Sequence, residues 1–193
     1  MFIFMGLIFG VAFGLDDERR QGTLVRLRMA PVSLVPILFG KVAARVVIGF
    51  VQAAILFGFG RVAFDLALGP SVATFALMLF AIVLGLTGLS MLAVPLMRTR
   101  EQIIPLGLTA VLIACSIGGC WWPLFQEPIW LQRIAFVFPT AWGMNGLHDL
   151  ILREKTLVEV VPTLLVLTAY GIGGTALGAA LWVRREVVSA RSD

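Results

Sequence analysis

Five apolar runs, at residues 1–15, 36–60, 71–97, 103–121 and 160–183, alternate with short polar stretches along the chain. The runs are apolar on every side and show no period-two alternation. That pattern predicts helices rather than the strands of a membrane barrel. Each of the last four is long enough to cross a hydrocarbon core of about 30 Å. The first is shorter, since fifteen helical residues reach only about 22 Å. It reads as the end of a span whose beginning precedes this sequence. The fold expected is therefore all-α: one polytopic helical membrane domain over residues 1–193 with about five membrane segments. Short interfacial or re-entrant helices are expected on the external side.

The polar interruptions are unequal. Residues 15–33 contain a dense charged island, DDERRQGTLVRLRMAPVS from Asp16 to Ser33. A segment of this kind between two spans is well suited to being gripped from outside the membrane. Lys and Arg orient the bundle. Arg19, Arg20, Arg26, Arg28, Lys41, Arg45, Arg98, Arg100, Arg184, Arg185 and Arg191 fall on alternate connections or the tail and make eleven of the fifteen basic residues. The other side has Arg61, Arg133, Arg153 and Lys155. This bias predicts that the island, the 98–102 turn and the C-terminus are cytoplasmic. It also accounts for the net charge of +4 through topology, with no nucleic-acid partner implied. Composition points the same way: 60% of residues are apolar and only 13% charged, against about 25% charged in soluble domains.

Residues 122–158 are the longest connection on the less basic side. They are too apolar for a solvated loop and too interrupted for a span. Pro123, Pro128 and Pro139 break the segment, predicting two short interfacial or re-entrant helices separated near Pro139. Trp121, Trp122, Trp130 and Trp142 are candidate anchors at the headgroup boundary. Small residues mark candidate packing faces: Gly6, Gly10 and Gly14 recur every four residues, as do Gly174 and Gly178. Such spacing lets helix backbones approach closely in lipid.

Catalytic chemistry is not evident. Gly40-Lys41 resembles the end of a phosphate-binding loop, but Val35 stands where its first glycine belongs and Val42 follows the lysine. ATP hydrolysis by this chain is therefore not expected. The single His148, with Asp149 beside it, makes no metal or haem site, and no Ser/His/Asp arrangement stands out. No catalytic residue, metal ligand or cofactor is assigned. Cys115 and Cys120 read as small buried hydrophobes, with a disulfide or metal pair as the alternative.

Two separated motifs carry a family resemblance. One runs from Glu18, Arg19, Arg20, Gln21, Gly22, Thr23 and Leu24 through Leu27 to Ala30-Pro31-Val32-Ser33 and Gly40-Lys41. The other comprises Gly118-Gly119, Pro123, Pro128, Trp130-Leu131-Gln132, Pro139-Thr140-Ala141-Trp142 and Leu150 to Arg153. In order and spacing they resemble the permease subunit of type-2 ABC exporters. The resemblance implies a subunit of the bacterial plasma (inner) membrane that forms a translocation pathway as a homodimer or heterodimer. A separate ABC ATP-binding subunit would supply the hydrolysis. It also makes the island the coupling segment, with Glu18, Arg19, Gly22, Thr23, Leu24, Arg26, Leu27 and Pro31 meeting that subunit. Pro123, Pro128, Trp130, Pro139 and Trp142 would shape the external re-entrant segment. Thr23 suits a helix cap, and Leu24 and Leu27 lie on one face. A juxtamembrane helix contacting anionic membrane lipid is the bland alternative for the island. The sequence departs from the family in two ways. It lacks a first span with its preceding amphipathic helix, and Val25 stands where an acid is common. The competing function is a membrane-embedded enzyme or structural anchor subunit without transport. The sequence does not name the cargo.

Overall fold

A computed structural model describes residues 1–20, 34–97 and 99–189, and among these the secondary structure is entirely helical. The helices are α1 (Phe2–Arg20), α2 (Leu34–Phe64), α3 (Val72–Ala93), α4 (Arg100–Ile117), α5 (Ile129–Ala135), α6 (Pro139–Ile151) and α7 (Leu157–Ser189). Short 3-10 turns occupy Val94–Leu96 and Leu124–Gln126. Four stretches are long and apolar enough to cross a membrane: Leu38–Phe64, Val72–Leu96, Arg100–Ile117 and Leu157–Arg184. The fifth segment, α1, is longer than its apolar run. It continues through Asp16, Asp17 and Glu18 to Arg20, so the acids of the island form its last turns.

Local chemistry sets several boundaries. The Ser71 hydroxyl accepts from the Thr74 N–H and caps α3. Pro95 sits in the 3-10 turn that follows α3. At the start of α7, Glu159 accepts hydrogen bonds from the Thr156 N–H and hydroxyl, both at 2.8 Å.

The centre of the bundle is α3, packed by α1, α2, α6 and α7. Of its most apolar stretch, 67% is buried, against 22% for α2 and 28% for α4 and α7. Helices α2, α4 and α7 expose broad apolar faces, as helices bordering lipid do. The α3–α7 seam is built on glycine. A Cβ on Gly88 would stand 2.3 Å from the Tyr170 carbonyl oxygen, one on Gly174 2.8 Å from the Gly88 backbone, and one on Gly178 2.4 Å from the Met91 oxygen. Contacts advance in the same direction along both helices, so α3 and α7 run parallel with their backbones touching.

The other glycine series is used differently. Gly6 lies under the Gln52 amide, while Gly10 and Gly14 lie under the Arg45 guanidinium. The small residues of α1 accommodate polar side chains of α2, not a close helix backbone. The glycine spacing alone is common to both arrangements; what lies opposite decides between them.

Candidate functional site

Two regions gather the sequence-predicted residues, at opposite ends of the bundle. At the first, the end of α1 is tied to its neighbours by ion pairs. Glu18 pairs with Lys41 of α2. Asp17 accepts from Arg100 Nη1 of α4 at 2.7 Å, with Asp16 at 3.4 Å from the same nitrogen. Arg20 bridges back to Asp16 at 3.1 Å, and the Arg100 guanidinium lies 5.5 Å from the Phe13 ring centre. The contacts between α1 and α4 join residues more than eighty positions apart. The sequence reading placed Glu18 among the coupling residues; in the structure Asp16, Asp17 and Glu18 fasten the α1 end of the island to α2 and α4. Arg19 belongs to α1. Gly22, Thr23, Leu24, Arg26, Leu27 and Pro31 lie outside the described residues.

At the opposite end, residues 118–156 make a helix-break-helix hairpin. Pro123 precedes the 3-10 turn, and Pro128 caps α5. The chain turns at residues 136–138, and Pro139 is the first residue of α6, a position where its missing N–H is harmless. The tip of this hairpin is deep. Pro139 packs against Gly85 of α3, Gly143 against Ile82 and Gly146 against Met78, while Leu150 meets Gly69, just before the N-terminal end of α3. Gly85 lies thirteen residues into α3, so α6 descends about 20 Å along it.

A break in the helix at this depth requires its carbonyls to find donors inside the protein. They do. The Val137 N–H donates to Ile134 at 3.0 Å, Phe138 to Ala135 at 2.8 Å and Ala141 to Phe138 at 3.2 Å. Trp142 Nε1 donates to the Phe136 oxygen at 2.8 Å, and the Tyr170 hydroxyl donates to Val137 at 2.8 Å. On the other flank, the buried Thr140 hydroxyl donates to the Ala114 oxygen of α4 at 2.6 Å. Five successive carbonyls, from Ile134 to Phe138, are thereby occupied.

Trp142 is thus a brace for the break: its indole bonds to Phe136 and its ring packs edge-on to Phe136 at 5.0 Å. The sequence reading marked Trp142 as a candidate headgroup anchor; this bracing contact was not part of that reading. Trp121, Trp122 and Trp130 are exposed on the hairpin and its approach. Tyr170 escaped the sequence reading because its target lies 33 residues away on another element.

Near the C-terminal end of α6, Asp149 is only 4% exposed and receives Arg153 and, at 2.9 Å, Lys155. The Lys155 N–H also donates to the Asp149 carbonyl at 3.0 Å. This knot joins α6 to the start of α7 and occupies the acid that adjoins His148 in sequence. Cys115 and Cys120 are free thiols, joined through the Cys120 N–H and the Cys115 carbonyl at 3.0 Å.

The profile of the ABC-2 family transporter proteins matches residues 1–180 of the chain. The linearmycin resistance permease protein LnrN of Bacillus subtilis is 29% identical over 161 residues, covering 83% of this chain and 42% of that protein. The probable multidrug ABC transporter permease YbhR of Escherichia coli is 26% identical over 187 residues, covering 95% and 50%. The chain thus spans about half the length of the curated relatives it matches. No solved structure matches.

Proposed function

Since the chain belongs to the ABC-2 family of transporter proteins, we propose that it works as the transmembrane subunit of an ATP-driven exporter. In this reading it pairs with a second permease chain, identical or homologous, and is driven by a separate ATP-binding subunit that docks on the charged island. The island and the C-terminus face the cytoplasm, and the hairpin of α5 and α6 is a re-entrant closure of the outer end of the pathway. Cargo is a hydrophobic or amphiphilic compound. The relatives' names, which speak of linearmycin resistance and of multidrug transport, favour that class, as do walls with few charges.

The observation that carries the reading is the fastening at the base of the island. Glu18–Lys41 and Asp17–Arg100 tie the last turn of α1 to α2 and α4. A displacement received by the island reaches three membrane helices through these pairs and the chain itself. Leu24 and Leu27 supply the apolar contact to the ATP-binding subunit, and Arg26 the complementary charge.

The test is co-purification of the chain with the co-expressed ATP-binding subunit. Leu24→Asp combined with Leu27→Asp should leave membrane insertion intact and abolish association. Burying two leucines contributes about 1.5–3 kcal/mol each, so the loss is large. Unchanged association and unchanged substrate-stimulated ATP hydrolysis would remove the island from the coupling role.

A further inference from the structure

Between α1 and α2, at the end of the bundle that bears the charged island, lies a cavity of about 250 Å³. Its walls are mainly apolar, including Val11, Leu15, Val42 and Met91, and two cations, Lys41 and Arg45, project into it. Lys41 is neutralised by Glu18, also in the wall. Arg45 is not: its half-buried guanidinium rests on Gly10 and Gly14, and no described carboxylate or carbonyl pairs with it. It stands seven residues inside the Leu38–Phe64 span, about 10 Å along the helix. An arginine at such a depth is costly unless an anion accompanies it. The glycines below leave its fork open toward the cavity. At the mouth, Ile48 is exposed, and Val51 and Ile55 continue an exposed apolar track along α2. A cation at the inner end of an apolar track matches a molecule with an anionic head and an acyl tail.

We infer that this cavity binds the phosphate of an anionic membrane lipid, with the Arg45 guanidinium holding the phosphate oxygens and the acyl chain lying along Ile48, Val51 and Ile55. Arginine suits this role because its planar fork meets two phosphate oxygens at once. The inference stands apart from the transport reading, because binding is measured on the chain without nucleotide or cargo.

The experiment uses the full chain in detergent micelles, with retained lipid counted by native mass spectrometry during titration with phosphatidylglycerol or phosphatidylcholine. Phosphatidylglycerol should be retained in preference. Arg45→Gln should weaken it about tenfold or more, the worth of a charge-assisted hydrogen bond. Arg45→Lys should restore part of that loss, and Arg61→Gln, at the opposite end, should change nothing. Because Arg45→Gln can fail to fold, the wild-type chain is also irradiated with a headgroup-photoactivatable phosphatidylglycerol. Adducts should map to residues 10–15 and 38–48. Adducts confined to other segments, or equal retention of both lipids, would overturn the site. Inorganic phosphate that displaces the lipid at matching concentration would overturn the lipid assignment in favour of a free-anion site.

Discussion

The two glycine series sit in helices of similar composition and share a four-residue spacing, yet they build opposite kinds of seam. Between α3 and α7, Gly88, Gly174 and Gly178 let main chain touch main chain, with backbone atoms as the nearest neighbours of any added Cβ. Between α1 and α2, Gly6, Gly10 and Gly14 meet the ends of flexible polar side chains, and a cavity remains beside them. The first seam cannot yield without moving a helix. The second can yield by moving a side chain. Lipid offers helices no hydrophobic drive to associate, so close packing must supply the cohesion. The α3–α7 seam therefore holds the bundle together, and the α1–α2 seam is its adjustable side.

Gly174→Leu is the harshest way to break that contrast. Its side chain would drive into the Gly88 backbone, and overpacking of this kind costs about 3 kcal/mol or more. The expected outcome is loss of the folded chain, measured by thermal unfolding in detergent; a melting temperature close to wild type would show that the seam gives. Tyr170→Phe is milder. Tyr170 lies on the same seam and reaches the hairpin tip, and removing its hydroxyl loses the hydrogen bond to the Val137 carbonyl, worth about 0.5–1.5 kcal/mol. Stability should fall measurably, with faster hydrogen exchange at residues 136–141. Exchange unchanged there would mean that the tip keeps its shape without the tyrosine.

Gly10→Ala sharpens the comparison from the other side. The nearest neighbours of the new methyl are atoms of the Arg45 guanidinium, the closest at 2.6 Å, and this flexible group can swing away. The stability change should stay below about 1 kcal/mol, within the range of mutations that make no backbone clash, and far below that of Gly174→Leu. A loss as large as for Gly174→Leu would make the two seams equivalent. Smallest of all is Asp17→Asn. The Asp17–Arg100 pair is partly exposed, so its contribution is a few tenths of a kcal/mol and shrinks in high salt. Thermal unfolding at low and high ionic strength should converge for this variant and wild type as salt rises.

Much of this architecture was legible in the sequence because lipid imposes simple rules. Unbroken apolar runs of sufficient length become helices, and α2, α3, α4 and α7 follow from that alone. Proline dictated a break near residue 139, and the chain turns at 136–138. What sequence did not carry was depth and partnership. That the turn lies about 20 Å down α3 depends on Pro139 meeting Gly85 and on donors from Tyr170 and Trp142. None of these has a local signature. Asp16 and Asp17 were visible as charges, but their partner Arg100 lies more than eighty residues away, beyond α2 and α3. The glycines of α1 announced a close approach without saying that arginine and glutamine would make it.

The central position of α3 has a consequence for the order in which the protein can be completed. The ribosome delivers α3, then α4 and the hairpin, well before α7. Until Tyr170 emerges, the Val137 carbonyl lacks its donor, and until Gly171 to Gly178 are inserted the glycine groove of α3 lies open to lipid. The most buried helix is thus finished by one made much later in the chain. Biogenesis of this domain must tolerate a nascent state whose deepest turn is unsatisfied, and a ribosome stalled before residue 170 would leave that turn exposed to whichever quality-control protease patrols the bilayer.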